Sequence, residues 1–470
     1  VAKLYQARFD AWLANHGIKP AADTLQGYRR QFLSEVYLDG FRKLETYFRN
    51  LGVRSLLTDQ NYITTIPSTV LRENYDFVDQ HFYWSHPQFL GNNWNLPAVV
   101  TNESSINRYA GGLRDMFPCR IYGKAFSITE WDYVNPNSYA VEGAFLTGAY
   151  AALQDWSILC RFTYTNFERN VRNDDAAAGF FELINDPQRR LSEAAGVLAF
   201  LRGDVKVSEV NYPFLLSRDY VDGLNNPDWF PTLVQRLGLI GKTGSLLADP
   251  GRCPELPANT RALLSIPGSW KGVKFPVPFV ETTDTRDGFD QLLKAKAITP
   301  EEYDAEKERY RSSTGELLLD RGQGTFQSTT PRSESFVLRK DQTLSGRFAT
   351  VSNRLTFGAF LVAARDEQPL ASSNRILLLH LTSTRNTGQR FRNAEAHIVE
   401  TWGKPPLLVR RGEADLTIAR DLSGFKLYAV DLDGSRVFEV PMKIENGKSR
   451  FTLRNVTPRG VFAAYELIKE

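Results

Sequence analysis

The sequence predicts an α/β region that is followed by an all-β region. Over residues 1–205, helical patterns alternate with short β-branched or apolar runs, which indicates a parallel sheet whose strands are joined by helices. Over residues 321–470, short alternating apolar runs are separated by Gly, Asn and Asp turns, which is typical of an antiparallel β-sandwich. A chain of 470 residues is too long for one ordinary core, so two or three domains are expected.

The first elements are helical. Val1 opens directly into an amphipathic pattern without a signal peptide, so the targeting information is expected in a preceding part of the protein. A second helix is predicted over residues 28–51, where apolar residues recur at helical spacing. Gly52 ends that helix, and residues 53–58 are predicted to form the first buried strand.

Three further strands and two further helices follow in alternation. The strands are predicted over residues 76–84, 125–131 and 158–164. The helices are predicted over residues 138–154 and 186–201. Together with the strand before them, these elements make four successive β/α units.

The middle of the chain, residues 206–320, is rich in Pro and Gly and is predicted to be an irregular connecting region. One helix is predicted within it, near residues 299–312. Thr299 is suited to the N-cap of that helix, and Pro300 is suited to its first turn. Residues 321–470 then form the predicted β-sandwich domain.

Each of the four predicted parallel strands ends in side chains that can bind a ligand. Strand ends are often polar simply because they reach solvent. That explanation fits one such strand more readily than four strands in succession. Active sites of (β/α)8 barrels are built at the C-terminal ends of several strands. The four units are therefore predicted to form the C-terminal half of a TIM barrel rather than a small doubly wound sheet. The side chains are Asn61, His81 with Tyr83, Glu130, and Tyr164 with Asn166.

Glu130 is the most informative of these residues, because a carboxylate at the end of a buried strand is costly unless it is used or well paired. In a retaining glycosidase, one carboxylate attacks the anomeric carbon. A second carboxyl group, about 5–5.5 Å away, acts as acid and then as base. The alternative is that Glu130 pairs with a structural arginine below the barrel rim, and residue spacing alone leaves both possibilities open.

A family resemblance favours catalysis. Residues 123–133, then Asn137, Tyr139 and Glu142, then residues 151–156, resemble strands seven and eight of clan A glycoside hydrolases. The similarity is to large bacterial β-glycosidases with a β-rich C-terminal region, and it covers residues 1–205 well and 321–470 more loosely. It implies that Glu130 is the nucleophile of a retaining reaction on β-linked carbohydrate, proceeding by double displacement.

The same resemblance implies the remaining site residues. Residues 79–84 resemble strand six, where a His or Tyr contacts the nucleophile, and residues 54–62 resemble strand five, which ends in Asn61. No metal and no cofactor are implied, and a secreted, periplasmic or cell-surface location is favoured. The residues predicted to bind the sugar are Asn61, His81, Tyr83, Trp84, Trp131, Tyr133, Tyr164 and Asn166.

The acid/base is not identified. In the clan it is a glutamate, usually after Asn, at the end of strand four, and residues 1–50 resemble helix four and the segment after it. That strand is therefore expected before Val1, on an N-terminal half-barrel fragment or subunit that stays bound. Asn102-Glu103 has the required dipeptide but lies too close to Glu130 to leave room for three β/α units of about 30 residues each. Glu35 is expected on a solvated helix face.

Composition excludes several other classes of protein. The net charge of +3 is spread along the chain, which argues against a nucleic-acid-binding protein. No apolar run reaches the length of about 18 residues expected of a membrane span, and the three cysteines form no CxxC pair. Two rivals to the hydrolase remain: a carbohydrate-binding barrel that has lost catalysis, and an unrelated α/β enzyme in which Glu130 coordinates a metal.

Overall fold

The computed structural model describes residues 2–173 and 176–470, so Val1 lies outside it. The predicted helix at residues 28–51 is confirmed as α2, and those at 138–154 and 186–201 are confirmed as α4 and α6. Short 3-10 turns occupy Arg72–Asn74, Ser105–Arg108, Arg114–Cys119 and Tyr220–Asp222. The α-helices are α1 (Ala2–Asn15), α2 (Leu25–Asn50), α3 (Ile66–Leu71), α4 (Glu142–Leu153), α5 (Glu168–Arg172), α6 (Pro187–Phe200), α7 (Thr232–Leu237) and α8 (Thr285–Lys294).

The strands before residue 300 form two parallel sheets and part of a third sheet. Strands β1, β4 and β5 pair in parallel with β4 in the centre, which confirms three of the four predicted strands. The strands are β1 (Val78–Trp84), β2 (Gln88–Phe89), β3 (Ala98–Val99), β4 (Phe126–Tyr133), β5 (Ile158–Arg161), β6 (Asn211–Ser217), β7 (Lys242–Ala248), β8 (Leu263–Ser265) and β9 (Phe279–Glu281).

The strand predicted over residues 53–58 does not form. This segment is half-buried or exposed and runs beside β1 without a regular ladder. Scattered hydrogen bonds join this part of the chain to β1 and the residues before it. They include the bonds from the Asp76 amide to the Leu57 carbonyl, from the Thr58 hydroxyl to the Phe77 carbonyl and from the His81 amide to the Asn61 carbonyl. A strand needs a continuous partner to satisfy its backbone groups. The fold is a mixed α/β arrangement with three parallel strands here, and a closed barrel is not observed.

Helices α4 and α6 pack against each other and contact β4 and β5 through side chains. Every residue of α4 is buried. The two helices approach so closely that a Cβ atom added at Gly148 would lie 2.4 Å from the Cα atom of Gly196. Asp186 caps α6 by accepting hydrogen bonds from the Gln188 and Arg189 amides, and Pro187 occupies the first turn. This packing fixes the sheet whose strand ends carry the predicted site.

The prediction of an irregular region over residues 206–320 is wrong. Strands β6 to β9 form a four-stranded parallel sheet in the order β7-β6-β8-β9, with α7 and α8 beside it. All seven residues of β6 are buried, as expected for a strand covered on both faces. Pro213 lies within β6, and a proline inside an apolar run argues against a strand at the sequence level.

The helix predicted near residues 299–312 is also wrong. The capping bonds do form, because the Thr299 amide donates to the Glu302 carboxylate and the Glu302 amide donates to Thr299 Oγ1. The chain then turns into a hairpin in which the Tyr303 ring stacks on Phe289 of α8, with centroids 4.0 Å apart. Burial of these aromatic rings outweighs the local helix signal.

The C-terminal region is an antiparallel β-rich region, as predicted. A ten-stranded and a five-stranded sheet share one apolar core, which is the arrangement of a β-sandwich. Its strands are β10 (Tyr303–Asp304), β11 (Arg309–Arg311), β12 (Leu317–Asp320), β13 (Thr325–Thr329), β14 (Ser333–Leu338), β15 (Thr343–Ser345), β16 (Ala349–Asn353), β17 (Gly358–Ala364), β18 (Arg375–Leu381), β19 (Thr384–Thr387), β20 (Arg390–Phe391), β21 (Ile398–Thr401), β22 (Lys404–Val409), β23 (Glu413–Ile418), β24 (Phe425–Val430), β25 (Arg436–Glu439), β26 (Lys443–Glu445), β27 (Lys448–Arg454), β28 (Val456–Thr457), β29 (Gly460–Val461) and β30 (Ala464–Lys469).

A small sheet joins the α/β region to the β-rich region. Strand β21 pairs with β3, so that strands from both regions lie in one sheet of order β2-β3-β21-β20. Nearby, the Asn386 side chain accepts a hydrogen bond from the Ala178 amide and donates one to the Ala178 carbonyl, both at 2.9 Å. The two regions are therefore joined by backbone and side-chain hydrogen bonds.

His380 in β18 is buried without a hydrogen-bond partner for either ring nitrogen among the described residues. Its ring stacks on Phe360, with centroids 4.6 Å apart. Burial lowers the pKa of His380 to about 3. In the unfolded chain a histidine has a pKa of about 6.5, so between these values the unfolded state binds the extra proton. As far as His380 is concerned, the free energy of unfolding is therefore highest at neutral pH. It decreases as the pH falls below about 6.5.

We expect His380→Leu to remove this pH dependence. Between pH 7 and pH 5, the wild type should lose about 2 kcal/mol of unfolding free energy relative to the variant. The wild type must be compared with the variant at each pH, because a second group also makes stability depend on pH. Burial raises the pKa of Glu142 to about 7, so Glu142 changes the free energy of unfolding with pH in the opposite direction. Urea unfolding at pH 7, 6 and 5 measures the difference, with His397→Leu at an exposed histidine as the control. Parallel curves for wild type and His380→Leu would contradict the expectation.

Candidate active site

The pairing of β1 with β4 brings His81, Tyr83 and Glu130 together, with Glu130 three residues before the end of β4. The Tyr83 hydroxyl donates a hydrogen bond to Glu130 Oε1. His81 Nδ1 lies 3.4 Å from Glu130 Oε2, and 30% of the Glu130 side chain remains exposed. The carboxylate is therefore held by two groups on the neighbouring strand and still faces solvent.

A β-bulge at Thr129 places Glu130 opposite His81. Along β1 and β4, Gln80 is the partner of Ile128, and His81 is the partner of Glu130, which leaves Thr129 without a partner. The register of β4 with β5 is also interrupted between Ile128 and Trp131. Bulges redirect the side chains that follow them. In a regular ladder His81 would face Thr129 instead.

Asp79 stabilises this bulge and was not predicted from the sequence. The buried Asp79 carboxylate accepts hydrogen bonds from the Ser127 hydroxyl at 2.6 Å, the Thr129 amide at 3.1 Å and the Thr129 hydroxyl at 2.5 Å. Its Oδ2 also lies 3.5 Å from His81 Nε2. The imidazole ring therefore lies between two carboxylates. The missed signal is the alternation of Asp79, His81 and Tyr83, which places three polar residues at every second position.

Burial raises the pKa of both Asp79 and Tyr83, but hydrogen bonds shift the two pKa values in opposite directions. It raises the pKa of the Asp79 carboxyl, but hydrogen bonds from His81, Ser127 and Thr129 outweigh it, so that the pKa is below its ordinary value. Burial raises the pKa of the Tyr83 hydroxyl well above its ordinary value, and the bond to Glu130 raises it further. Tyr83 thus remains a proton donor, and Asp79 remains an acceptor, near neutral pH.

The structural arginine considered as an alternative partner of Glu130 pairs with Asp132 instead. Arg189 donates to both oxygens of the fully buried Asp132, at 2.8 and 2.7 Å, and Arg161 Nε donates at 2.7 Å. Arg161 also contacts Glu193. Among the described residues, no Lys or Arg nitrogen lies within 4.0 Å of the Glu130 carboxylate. The two acidic residues of β4 therefore have different surroundings, one ion-paired and buried, the other partly exposed.

Two of the predicted sugar-binding residues are core residues. Trp131 is buried, and the Arg161 guanidinium lies over its ring at 4.3 Å from the centroid. Tyr133 is fully buried, and its hydroxyl lies 3.1 Å from Ser105 Oγ. Neither ring is accessible to a ligand, so the structure contradicts their assignment to the site. Aromatic rings serve equally well in cores and in sugar sites, and the sequence does not distinguish these uses.

The remaining predicted residues lie around the strand ends without a described contact to Glu130. The half-buried Asn61 provides the carbonyl that accepts from the His81 amide. Trp84 is half-buried and donates its indole N–H to the Glu103 carbonyl at 2.8 Å. Tyr164 is exposed, and Asn166 donates to Glu182 Oε1 at 3.3 Å. Their roles in binding remain predictions.

The other glutamates considered from the sequence have structural contacts. The Glu103 carboxylate lies 3.4 Å from Arg108 Nε. Glu142 is fully buried and accepts bonds from the hydroxyls of Ser104 and Ser105 and from the Ser105 amide. Glu35 is exposed on α2 and accepts a bond from Trp12. The exposure of Glu35 agrees with the expectation that it lies on a solvated helix face.

The described residues contain no metal-ligand cluster and no helix that could span a membrane. Over residues 2–173 and 176–470, no group of three or more His, Cys, Asp or Glu side chains is placed to hold a metal ion. In the same residues, every helix is too short or too polar to cross a membrane.

Comparison with known proteins gives only weak structural similarity. No family model matches the chain, and no curated protein sequence matches it significantly. Among solved structures, a rhamnosidase from Novosphingobium sp. PP1Y matches with a TM-score of 0.25 and 9% sequence identity, over 95% of this chain and 40% of that chain. The chain is thus distantly similar to a rhamnosidase and spans less than half of that protein's length.

Proposed function

We propose that this chain carries the nucleophile of a retaining glycoside hydrolase that acts on β-linked carbohydrate. The observation that carries the proposal is the environment of Glu130. Its carboxylate is partly exposed in the C-terminal half of the parallel strand β4, accepts a hydrogen bond from Tyr83, and has no arginine or lysine partner among the described residues. A carboxylate in this setting is oriented and open to a ligand.

The proposed reaction has two displacements. A Glu130 oxygen attacks the anomeric carbon, the glycosidic C–O bond breaks, and the leaving oxygen takes a proton from a carboxylic acid. Water then attacks the same carbon as that group takes a proton from it, and the bond to Glu130 breaks with retention of configuration. The Tyr83 hydroxyl and the His81 ring hold the nucleophile in position at both steps, and Asp79 orients His81 from behind.

The acid/base is proposed to lie on an N-terminal half-barrel, in a preceding or separate polypeptide. Two features support this part of the proposal. Strand β1 has a regular ladder on only one side, towards β4. Helix α2, which precedes it, exposes an unusual number of large apolar side chains, which is typical of a surface that packs against another protein part. These side chains are Leu33, Tyr37, Leu44, Tyr47 and Phe48.

Covalent labelling tests the nucleophile directly. We expect an activated 2-deoxy-2-fluoro-β-glycosyl fluoride to add its glycosyl group to Glu130, because fluoride leaves without protonation and the 2-fluoro group slows hydrolysis of the intermediate. A series of such reagents that covers the common hexoses and xylose allows for the unknown sugar. Peptide mass spectrometry should place the label on Glu130.

The Glu130→Gln variant is the control for labelling and should remain unlabelled. A label on another carboxylate would overturn the assignment of Glu130. The absence of any label over the whole reagent series would contradict the hydrolase and would favour a carbohydrate-binding protein without catalysis.

A further inference from the structure

A cavity of about 680 Å³ lies where the α/β region meets the β-rich region, beside the proposed catalytic strand ends. Its volume falls within the range of about 300–1,000 Å³ that is typical of ligand sites. Aromatic rings dominate the lining, including Trp94, Phe162 and Phe181 from the α/β region and Trp402 from the β-rich region. Both regions are therefore needed to build it.

One layer of aromatic rings connects the cavity to Glu130. The Phe181 ring, which lines the cavity, contacts the Tyr83 ring at a centroid distance of 5.5 Å. Phe162 also lines the cavity and lies edge-on to Tyr83 at 6.4 Å. Since the Tyr83 hydroxyl is bonded to Glu130, two rings that line the cavity pack directly on the residue that holds the proposed nucleophile.

A buried carboxylate lines the cavity. Only 6% of Glu182 is exposed. Its Oε1 accepts one hydrogen bond, from Asn166 at 3.3 Å, and within the described residues no donor bonds to Oε2 and no Lys or Arg nitrogen lies within 4.0 Å. A carboxylate can accept about four hydrogen bonds. Oε2 is not among the buried atoms that lack a partner, so it faces the open space of the cavity and can accept hydrogen bonds from a ligand there.

The wall of the cavity is anchored from both sides. The Asn135 side chain donates to the Gly179 carbonyl at 3.0 Å, and the Asn135 amide donates to the Phe180 carbonyl at 2.9 Å. From the β-rich region, Asn386 holds Ala178 by two bonds. A site whose wall is fixed before binding loses less conformational entropy when a ligand enters.

We propose that this cavity is a sugar-binding subsite, which holds a pyranose unit of the substrate next to the unit at Glu130. The inference rests on the proposed function and extends it to a substrate of at least two sugar units. Flat aromatic faces suit the apolar C–H face of a pyranose, and Glu182 with Asn166 suits its hydroxyl groups. A wholly apolar ligand would leave Glu182 unpaired, and Arg169, which also lines the cavity, disfavours a cation.

The test measures binding of defined oligosaccharides to the full chain with Glu130→Gln, which prevents turnover. Cellotetraose, xylotetraose, mannotetraose, galactotetraose and laminaritetraose are titrated by calorimetry. We expect at least one of them to bind, and expect Trp402→Ala and Glu182→Gln each to weaken that binding about tenfold or more. Trp229→Ala removes an exposed tryptophan outside the cavity lining and should leave the affinity unchanged.

Equal affinities for the parent, Trp402→Ala and Glu182→Gln chains would overturn the subsite, as would the absence of binding by all five oligosaccharides. The conservative Glu182→Gln change guards against a folding defect in Trp402→Ala. The two proposals fail separately. If Glu130 is labelled while these variants bind normally, the subsite is wrong and the hydrolase stands. If the variants lose binding while Glu130 is not labelled, the hydrolase is wrong.

Discussion

Replacing Glu130 by Gln should lower kcat by roughly 10⁴-fold or more, because an amide cannot form the glycosyl intermediate. The fold should be unaffected, since the glutamine oxygen can still accept the Tyr83 hydrogen bond and the site is partly exposed. The measurement is steady-state hydrolysis of 2,4-dinitrophenyl β-glycosides, whose leaving group needs no protonation. The first displacement, in which Glu130 attacks, therefore needs no acid from the acid/base.

Glu103→Gln is the matched control for this experiment. Glu103 is the other glutamate whose sequence context resembles a catalytic position, and its carboxylate contacts Arg108 in the structure. Its replacement should leave kcat within a few-fold of the wild type. Activity near the wild-type level in Glu130→Gln, or a large loss in Glu103→Gln, would exclude the proposed assignment.

Asp132→Asn should destabilise the protein by about 3–5 kcal/mol, the usual cost of breaking a buried ion pair from one side. The change is nearly isosteric, so no cavity is created. It leaves Arg189 and Arg161 without their shared carboxylate, and their side chains are only 2% and 8% exposed. Urea unfolding at neutral pH measures the loss, with Asp415→Asn as the control.

In the Asp415 control, the ion pair with Arg354 is largely exposed, so its loss should change the free energy of unfolding little. If Asp132→Asn costs no more than this control, Asp132 does not stabilise the end of β4. Since Asp132 follows Glu130 by two residues, a confirmed loss would also show that the arginine cluster anchors the strand that presents the nucleophile.

Helices and strands with a strong hydrophobic periodicity could be predicted from the sequence. Features that depend on contacts with a distant part of the chain could not. Helix α2 and strand β4 carry long, clear patterns. Residues 53–58 also have the composition of a strand, but strand formation requires a partner that this segment lacks. The capping pattern at Thr299 is real and forms its bonds, yet burial of Tyr303 directs the chain into a hairpin instead of a helix.

The candidate site shows the same division. Glu130, His81 and Tyr83 could be identified because polar residues at the ends of apolar strands are unusual. The bulge at Thr129 has no signature in the sequence, and it alone determines that His81 faces Glu130. Burial of Trp131 could not be foreseen either, because the arginine that covers its ring comes from another strand.

The pairing of β21 with β3 has a consequence for how this protein can be altered by evolution or engineering. Because side chains alternate across a strand, insertion or deletion of one residue in β21 would turn its side chains to the opposite face. Trp402, which directly follows β21, would then leave the ring of Phe180 that it packs against. The β-rich region therefore cannot be exchanged as an independent module, because the length of its chain near residue 402 determines whether Trp402 reaches the cavity wall.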